Sequence, residues 1–530
     1  MIMKMEREKL VDKIKNPILP GFNPDPSIVK SNGHYYIAVS SFQWLPGIRV
    51  YESINLIDWT HKTDILTTQH DFRGNPIDCS IWAPQISYHD DKFFVVYTDV
   101  KSTVRPFKDC RNYLITSDSI DGPWSEPVYL NGSGFDPSLF HDEDGKKYLL
   151  NVIWDYRVET GNKSDGIVLQ EFDEKENRLV GDPIKIFDGT ELKKTEASHI
   201  YKRDGYYYLI TAEGGTGREH AVTVARSKDI TGPYELDPDY PMLTSAHDPD
   251  WPFQQSGHAS LIETDNNEWY MVHLMTRPIN GEHVLLGRET AIQKVYWDEK
   301  GWLRLSHGGK LPAIEVEAPI GTHSEIKNQT TDFTDYFDQD VLDKEWNTLR
   351  TMETDDWFSF DTADKGLRIY GGESVQSLFN HHLIGTRQKD FKFKADTEIS
   401  FEPTNFLQMA GMLLYLNDKN YIYAYITHDE EKGKVLRIMK AVDGMFDLSP
   451  VIIELEENQA VKLGIEVDDV EAQFYCEVNE RKKSVGEVQD ISFLSGGFTG
   501  NFIALSCQDM NIYKGCHADF TYFKYKSLDK

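Results

Sequence analysis

Apolar and polar positions alternate with a period of two through most of this chain, in short runs broken by Gly, Asn, Asp, Ser and Pro. That pattern predicts half-buried β-strands joined by tight turns. The clearest unit is residues 21–39, GFNPDPSIVKSNGHYYIAV: a short strand SIVK, a turn SNG and a second strand HYYIAV. Four altered copies follow, APQISYHDDKFFVVY from Ala83, DPSLFHDEDGKKYLL from Asp136, EASHIYKRDGYYYLI from Glu196 and HASLIETDNNEWYMV from His258. Aligned at Asp25, Ala83, Asp136, Glu196 and His258, the copies stand 58, 53, 60 and 62 residues apart. A second strand–turn–strand pattern recurs between them, as in VYESINLIDWTHKT, YLITSDSIDGPWSEP and VTVARSKDITGPYELDP. Each period therefore supplies about four antiparallel strands, the content of one propeller blade.

The predicted fold is all-β, a five-bladed β-propeller followed by a jelly-roll-like β-sandwich. Residues 1–16 read as a short helical or frayed arm, and residues 17–310 as the propeller. Residues 311–333 lack the blade pattern and read as a linker. Residues 334–530 form the second domain, where new alternating segments such as FKADTEISFEP, NYIYAYITHD and FIALSCQD carry no blade signature.

Composition narrows the function. The chain has 530 residues and is 40% hydrophobic, enough to bury a large core. Its formal net charge of −30 argues against nucleic acid and against anionic membrane surfaces, both of which require basic patches. Cys79, Cys110, Cys476, Cys507 and Cys516 are odd in number and widely spaced, which predicts free thiols rather than a zinc or redox motif. The first residues carry no apolar run of signal-peptide type, and no stretch reaches membrane-spanning length, so a cytoplasmic protein is expected.

The chemistry lies at the repeat starts. Equivalent positions in a closed ring face one axis, so Asp25, Asp136, Glu196 and His258 should converge. Burying several carboxylates together is costly, and like charges in one site push pKa values apart, so that one group stays protonated while another stays ionised. A general acid and a general base need that division. Glycoside hydrolysis uses such a pair, with carboxyls about 6.5–9.5 Å apart for inversion and about 5–5.5 Å for retention. Phe42, Trp44, Trp82 and Trp154 are aromatic residues near the repeat starts that suit a sugar pocket, although aromatics also fill propeller cores. Arg288 reads either as a substrate contact or as a salt-bridge partner. His258 reads as a metal ligand, a substrate contact or a structural histidine.

GFNPDPSIV, SSFQWLPG, IWAPQISYHD, GSGFDPSLFHD, TEASHIYK, QQSGHASLIET and LGRETAIQKVYW, in this order, resemble family 43 of the glycoside hydrolases. The nearest group is the two-domain β-xylosidases with a C-terminal sandwich. The resemblance implies an inverting mechanism with Asp25 as general base, Glu196 as general acid and Asp136 as the residue that tunes and orients the acid. It further implies Arg288 as a substrate-binding arginine, with Phe42, Trp82, Ala83 and Trp154 at the pocket. Phe498, in GGFTGNF, matches a phenylalanine from the sandwich that closes it. His258 matches a central-channel histidine that in some members helps hold calcium, mostly through water; no cofactor is otherwise required. The acid motif reads EASH where many relatives have proline third, which touches loop detail and not the glutamate. The implied activity is exo-cleavage of short β-1,4-xylooligosaccharides from the non-reducing end, with some α-L-arabinofuranosidase activity, by a homo-oligomer (dimer or tetramer). A mainly arabinofuranosidase enzyme and a noncatalytic sugar-binding propeller are the alternatives, and a retaining fructan-active propeller fits the DPS motifs poorly.

Overall fold

A computed structural model describes residues 12–326, 330–360, 366–478, 481–511 and 515–529. Five sheets of four or five antiparallel strands form the blades, each built from strands in chain order, with one short strand of the first blade's segment diverted to the second domain. Their innermost strands are Ser27–Ser31, Ser80–His89, Gly134–His141, Glu196–Arg203 and Gln254–Glu263. The inner hairpins close as the turn residues dictate. Asn32 and Gly33 have φ of 51° and 80°, and Asp204 and Gly205 have 50° and 76°. Two consecutive left-handed residues match the twist of the flanking strands, which is why Asn-Gly and Asp-Gly occupy them.

The ring is closed by side chains that cross between neighbouring blades. Ser27 Oγ accepts from the Ile86 N–H (3.1 Å), and Gln85 Oε1 from the Leu139 N–H (2.9 Å). Ser138 Oγ donates to the Ser198 carbonyl, and the Tyr201 hydroxyl accepts from the Leu261 N–H (2.7 Å). Ser260 Oγ accepts from the Ile28 N–H (3.2 Å) and returns to the first blade. Each bond satisfies an inner-strand polar group that would otherwise be buried unpaired.

The start of the chain differs from the expected arm. Residues 1–11 lie outside the described residues, but Lys13–Lys15 is a strand that pairs antiparallel with Glu315–Glu317. Asn16 then bonds both backbone groups of Ile292 at 2.8 Å. The segment after the fifth blade is thus tied to the segment before the first.

The second domain packs two sheets, each pairing nine strands among the described residues, around one apolar core that includes Trp346, Phe393, Leu463 and Phe520. All the alternating segments named above form strands in it. His517–Ser527, which the sequence reading passed over, pairs with Phe333–Asp335, Leu367–Tyr370 and Lys392–Ser400.

The two domains share a core and a sheet. Trp44–Leu45, from a loop of the first blade, adds a strand beside Asn347–Leu349 of the sandwich. Trp44 is fully buried and stacks on Phe502 with ring centroids 3.7 Å apart, so it belongs to the domain interface and not to a sugar pocket. Buried arginines complete the joint. Arg387 donates to the Phe22 carbonyl (2.7 Å), and Arg49 to the Trp346 carbonyl (3.0 Å) and Asn347 Oδ1 (2.9 Å).

Candidate active site

Where the inner strands begin, the backbone turns left-handed in every blade, at Asp25, Ala83, Asp136, Ala197 and His258, with φ between 38° and 55°. These five are the equivalent positions. The fourth is Ala197 and not Glu196, which corrects the register read from the sequence. Glu196 lies one residue earlier, at the place that Trp82, Phe135 and Gly257 occupy in other blades. Strand pairing is irregular at this point in the second, third, fourth and fifth blades, and such bulges re-aim side chains. Asp136 from inside a bulge and Glu196 from just before one therefore reach the same cavity.

That cavity, of about 350 Å³, is lined by Asp25, Asp136, Glu196, His258 and Arg288 together with Phe42, Trp82, Trp154 and Phe498. Of the eleven predicted site residues, nine therefore meet in one place, Trp44 lying at the domain interface. The remaining one, Ala83, is buried in the adjoining apolar cluster without lining the cavity. The aromatic wall is continuous: Phe42 lies 5.8 Å from Trp82 and 5.9 Å from Phe498, and Trp82 lies 5.6 Å from Phe498.

The carboxylates have unlike surroundings. Asp25 accepts from Ser40 Oγ (2.6 Å) and from Arg288 Nη1 (2.8 Å), with Arg288 Nη2 at 3.5 Å and His258 Nδ1 at 3.5 Å. Burial pushes the Asp25 pKa up, but Arg288, His258 and Ser40 outweigh it and hold the carboxyl below its ordinary value. Among the described residues no cation is hydrogen-bonded to Asp136 or Glu196. Burial, then the charges of Glu196 and Asp25, push the Asp136 pKa well up. Burial pushes Glu196 up to about 7, against the pull of Lys108 and with added repulsion from Asp25. Burial drives the His258 pKa down, against the upward pull of the Asp25 charge.

Sequence reasoning missed several wall residues. Phe135 precedes Asp136 as Trp82 precedes Ala83, so the same offset would have found it. Lys108 had no such signal. Its ammonium sits 3.9 Å from the Phe135 ring, 4.1 Å from Trp154 and 4.9 Å from Trp82, a cation held over aromatic faces. Thr103, Arg105, Asn162, Lys194 and the Gly215–Gly217 loop line the rest.

Calcium takes six to eight oxygen ligands. Beside His258 the described side chains offer the Asp25 carboxylate, already engaged by Arg288 and Ser40, and imidazole nitrogens. Among the described residues no group of three His, Cys, Asp or Glu side chains is arranged to hold an ion. These side chains do not by themselves make up a calcium cage, so an ion here would depend on water for most of its ligands.

Phe498 arrives from the sandwich on a loop that leaves no spare room. A Cβ on Gly500 would fall 2.5 Å from the Leu286 carbonyl oxygen, and one on Gly287 would fall 2.6 Å from the Gly500 Cα. Gly500→Val is therefore expected to displace the loop and to cost about 1–3 kcal/mol of stability, as overpacking does. Thermal melting checks it; an unchanged midpoint would show that the loop yields freely.

Residues 14–303 match the profile of glycosyl hydrolases family 43, and residues 334–526 match the beta xylosidase C-terminal concanavalin A-like domain. A beta-xylosidase of Bacillus subtilis (strain 168) is 43% identical over 537 residues, covering 97% of this chain and 99% of its own. Xylosidase/arabinosidase 43B of Humicola insolens is 40% identical over 541 residues, covering 97% and 98%. The crystal structure of xylan beta-1,4-xylosidase from Bacillus halodurans C-125 superposes with a TM-score of 0.94 at 44% identity, covering 97% of this chain and all of that one.

Proposed function

The chain belongs to family 43 of the glycosyl hydrolases, and from that premise we propose that it is an inverting exo-β-1,4-xylosidase that releases xylose from the non-reducing end of short xylooligosaccharides. The supporting observation is the unequal treatment of carboxylates in one cavity. Asp25 is bonded to Arg288 and Ser40, whereas Glu196 is half-buried at the cavity wall with no hydrogen-bonded cation among the described residues. Opposite pushes on two carboxyls of one cavity support Asp25 as base and Glu196 as acid.

In this reading Asp25 takes a proton from water as that water attacks the anomeric carbon, and Glu196 protonates the departing glycosidic oxygen. Asp136 lies against the same cavity and orients and tunes Glu196: the two buried carboxyls disfavour sharing two negative charges, which raises the Asp136 pKa further. Arg288 holds Asp25 in its ionised form and in place, while the Phe42, Trp82, Trp154 and Phe498 rings exclude water and pack against the sugar. Inversion follows because water and leaving group occupy opposite faces of the ring.

A second specificity, α-L-arabinofuranosidase, is part of the proposal because one similar protein is named for both activities, and binding separates close analogues only weakly. Among the described residues no helix is long and apolar enough to cross a membrane. A cytoplasmic location is supported by the five free cysteines. A homo-oligomer, dimer or tetramer, is supported by the exposed Met445 and Phe446 on an outer strand of the sandwich.

The test is hydrolysis of xylobiose, 4-nitrophenyl β-D-xyloside and 4-nitrophenyl α-L-arabinofuranoside, with proton NMR of the first product and Asp25→Ala as control. Xylobiose cleavage that yields α-xylose first, and is lost in the variant, is the expected result. β-Xylose first would refute inversion, and turnover of the arabinoside alone would move the specificity.

A further inference from the structure

Phe498 comes from the sandwich, yet the groups that fix its backbone belong to the propeller. Its N–H donates to Asp78 Oδ1 (3.1 Å), and its carbonyl accepts from Arg288 Nε (3.1 Å). Ser495 Oγ accepts from the Val284 N–H (2.7 Å), and the Asn501 N–H donates to the Leu285 carbonyl (3.1 Å). Arg288 already has a role at Asp25. Asp78 has none so far: its side chain does not line the cavity, so it does not touch substrate.

Asp78 also governs a second ring. Its backbone carbonyl accepts from Trp82 Nε1 (2.8 Å). The residue sits left-handed, at φ 60°, in a turn that the sandwich grips from outside, because Arg350 Nε donates to the Asn75 carbonyl (2.8 Å) and Asn75 Nδ2 to Ser80 Oγ (2.8 Å). Gly497 lets the carboxylate approach, since a Cβ there would stand 3.1 Å from Asp78 Oδ2. One residue thus holds Phe498 by its side chain and Trp82 by its main chain, and those two rings meet 5.6 Å apart at the wall of the cavity.

We propose that Asp78 is a positioning residue that sets the depth of the sugar pocket, acting through Phe498, and so confines binding to one terminal pentose. The inference rests on the proposed function, because it assigns the pocket a pentose. It makes the interdomain loop a fixed wall whose place is decided by a propeller carboxylate. A backbone N–H held by a carboxylate is a charge-assisted bond, among the stronger ones. Losing it frees the Phe498 main chain from one of its two anchors beside the cavity.

The experiment is a double-mutant cycle with Asp78→Ala and Phe498→Ala, with Asp78→Asn alongside. Inhibition by D-xylose and KM and kcat are measured on 4-nitrophenyl β-D-xyloside and on 4-nitrophenyl α-L-arabinofuranoside. Each alanine variant is expected to raise KM and the xylose inhibition constant roughly tenfold, the scale of one lost buried hydrogen bond or ring contact, with kcat within about threefold. The double variant should be no worse than Phe498→Ala, because Asp78 has nothing left to position. Asp78→Asn keeps a carbonyl acceptor but loses the charge, so its losses should fall between those of wild type and Asp78→Ala. Melting temperature separates a plain structural role: Asp78→Ala should lower it equally in both backgrounds, since Phe498→Ala keeps its N–H. Additive losses in KM, or an asparagine variant as impaired as alanine, would overturn the inference with the function intact. A wild-type protein inert towards both glycosides would overturn the proposed function and this inference with it.

Discussion

Glu196→Gln is expected to lower kcat on xylobiose by about 10³-fold, within the range lost when a general acid is removed, and to lower it far less on 4-nitrophenyl β-D-xyloside. The difference follows from the leaving group. A sugar alkoxide must be protonated as it departs, whereas 4-nitrophenolate leaves without help. Glutamine fills the same space, so the cavity should persist. The pH profile gives a second reading. Glu196 acts protonated, and burial raises its pKa to about 7, so wild-type kcat/KM should fall as pH rises through that value. In the variant the alkaline limb should vanish while the acidic limb, set by Asp25, stays. Equal losses on both substrates, or an alkaline limb that survives, would remove Glu196 from the role of acid.

Arg288→Met should be the next most damaging change, with kcat/KM lower by about 10²–10³. Removing one partner of a buried ion pair strands the other charge, and a correctly ionised general base is worth about 10²–10⁴-fold in rate. The stranded group is Asp25. Burial alone raises its pKa, and Arg288 is the largest of the influences that lower it. The sign is fixed: Asp25 must be ionised to act as base, so raising its pKa moves the acidic limb of the profile to higher pH. Arg288→Lys keeps a charge but not the fork that reaches Asp25 and the Phe498 carbonyl together, so it should shift the limb less and raise KM. An acidic limb that does not move in Arg288→Met would mean that something else holds Asp25 ionised. The measurement is kcat/KM against pH for wild type and both variants.

The repeat was legible because blades are local. Each is a meander of strands in chain order, so its strands, its turns and its period all lie within a short window of chain. Asp25 and Asp136 could be aligned for the same reason, and family motifs carried Glu196. The one-residue offset at Glu196 could not be read from spacing. It depends on where each bulge takes its left-handed residue, and Ala197 gives no side-chain signal that it fills that place. Trp44 failed differently. An aromatic beside a repeat start suits a pocket as well as an interface, and only the packing of Phe502 against it decides.

By itself the sequence determined that the chain is all-β, that five similar units form a ring, that a second β-domain follows, and which acidic residues stand at the ring's centre. These are consequences of side-chain periodicity and turn chemistry, which act between near neighbours. The tertiary structure decided which groups share an environment. It set Arg288 against Asp25 across 263 residues of chain, placed Lys108 over three rings from different segments, and brought Phe498 to Asp78 across 420. Burial, charge pairing and the exclusion of water are properties of the folded assembly, and no local pattern encodes them. The residues that could be acid and base were therefore visible in the chain, whereas the difference in their proton affinities exists only once both domains have closed around them.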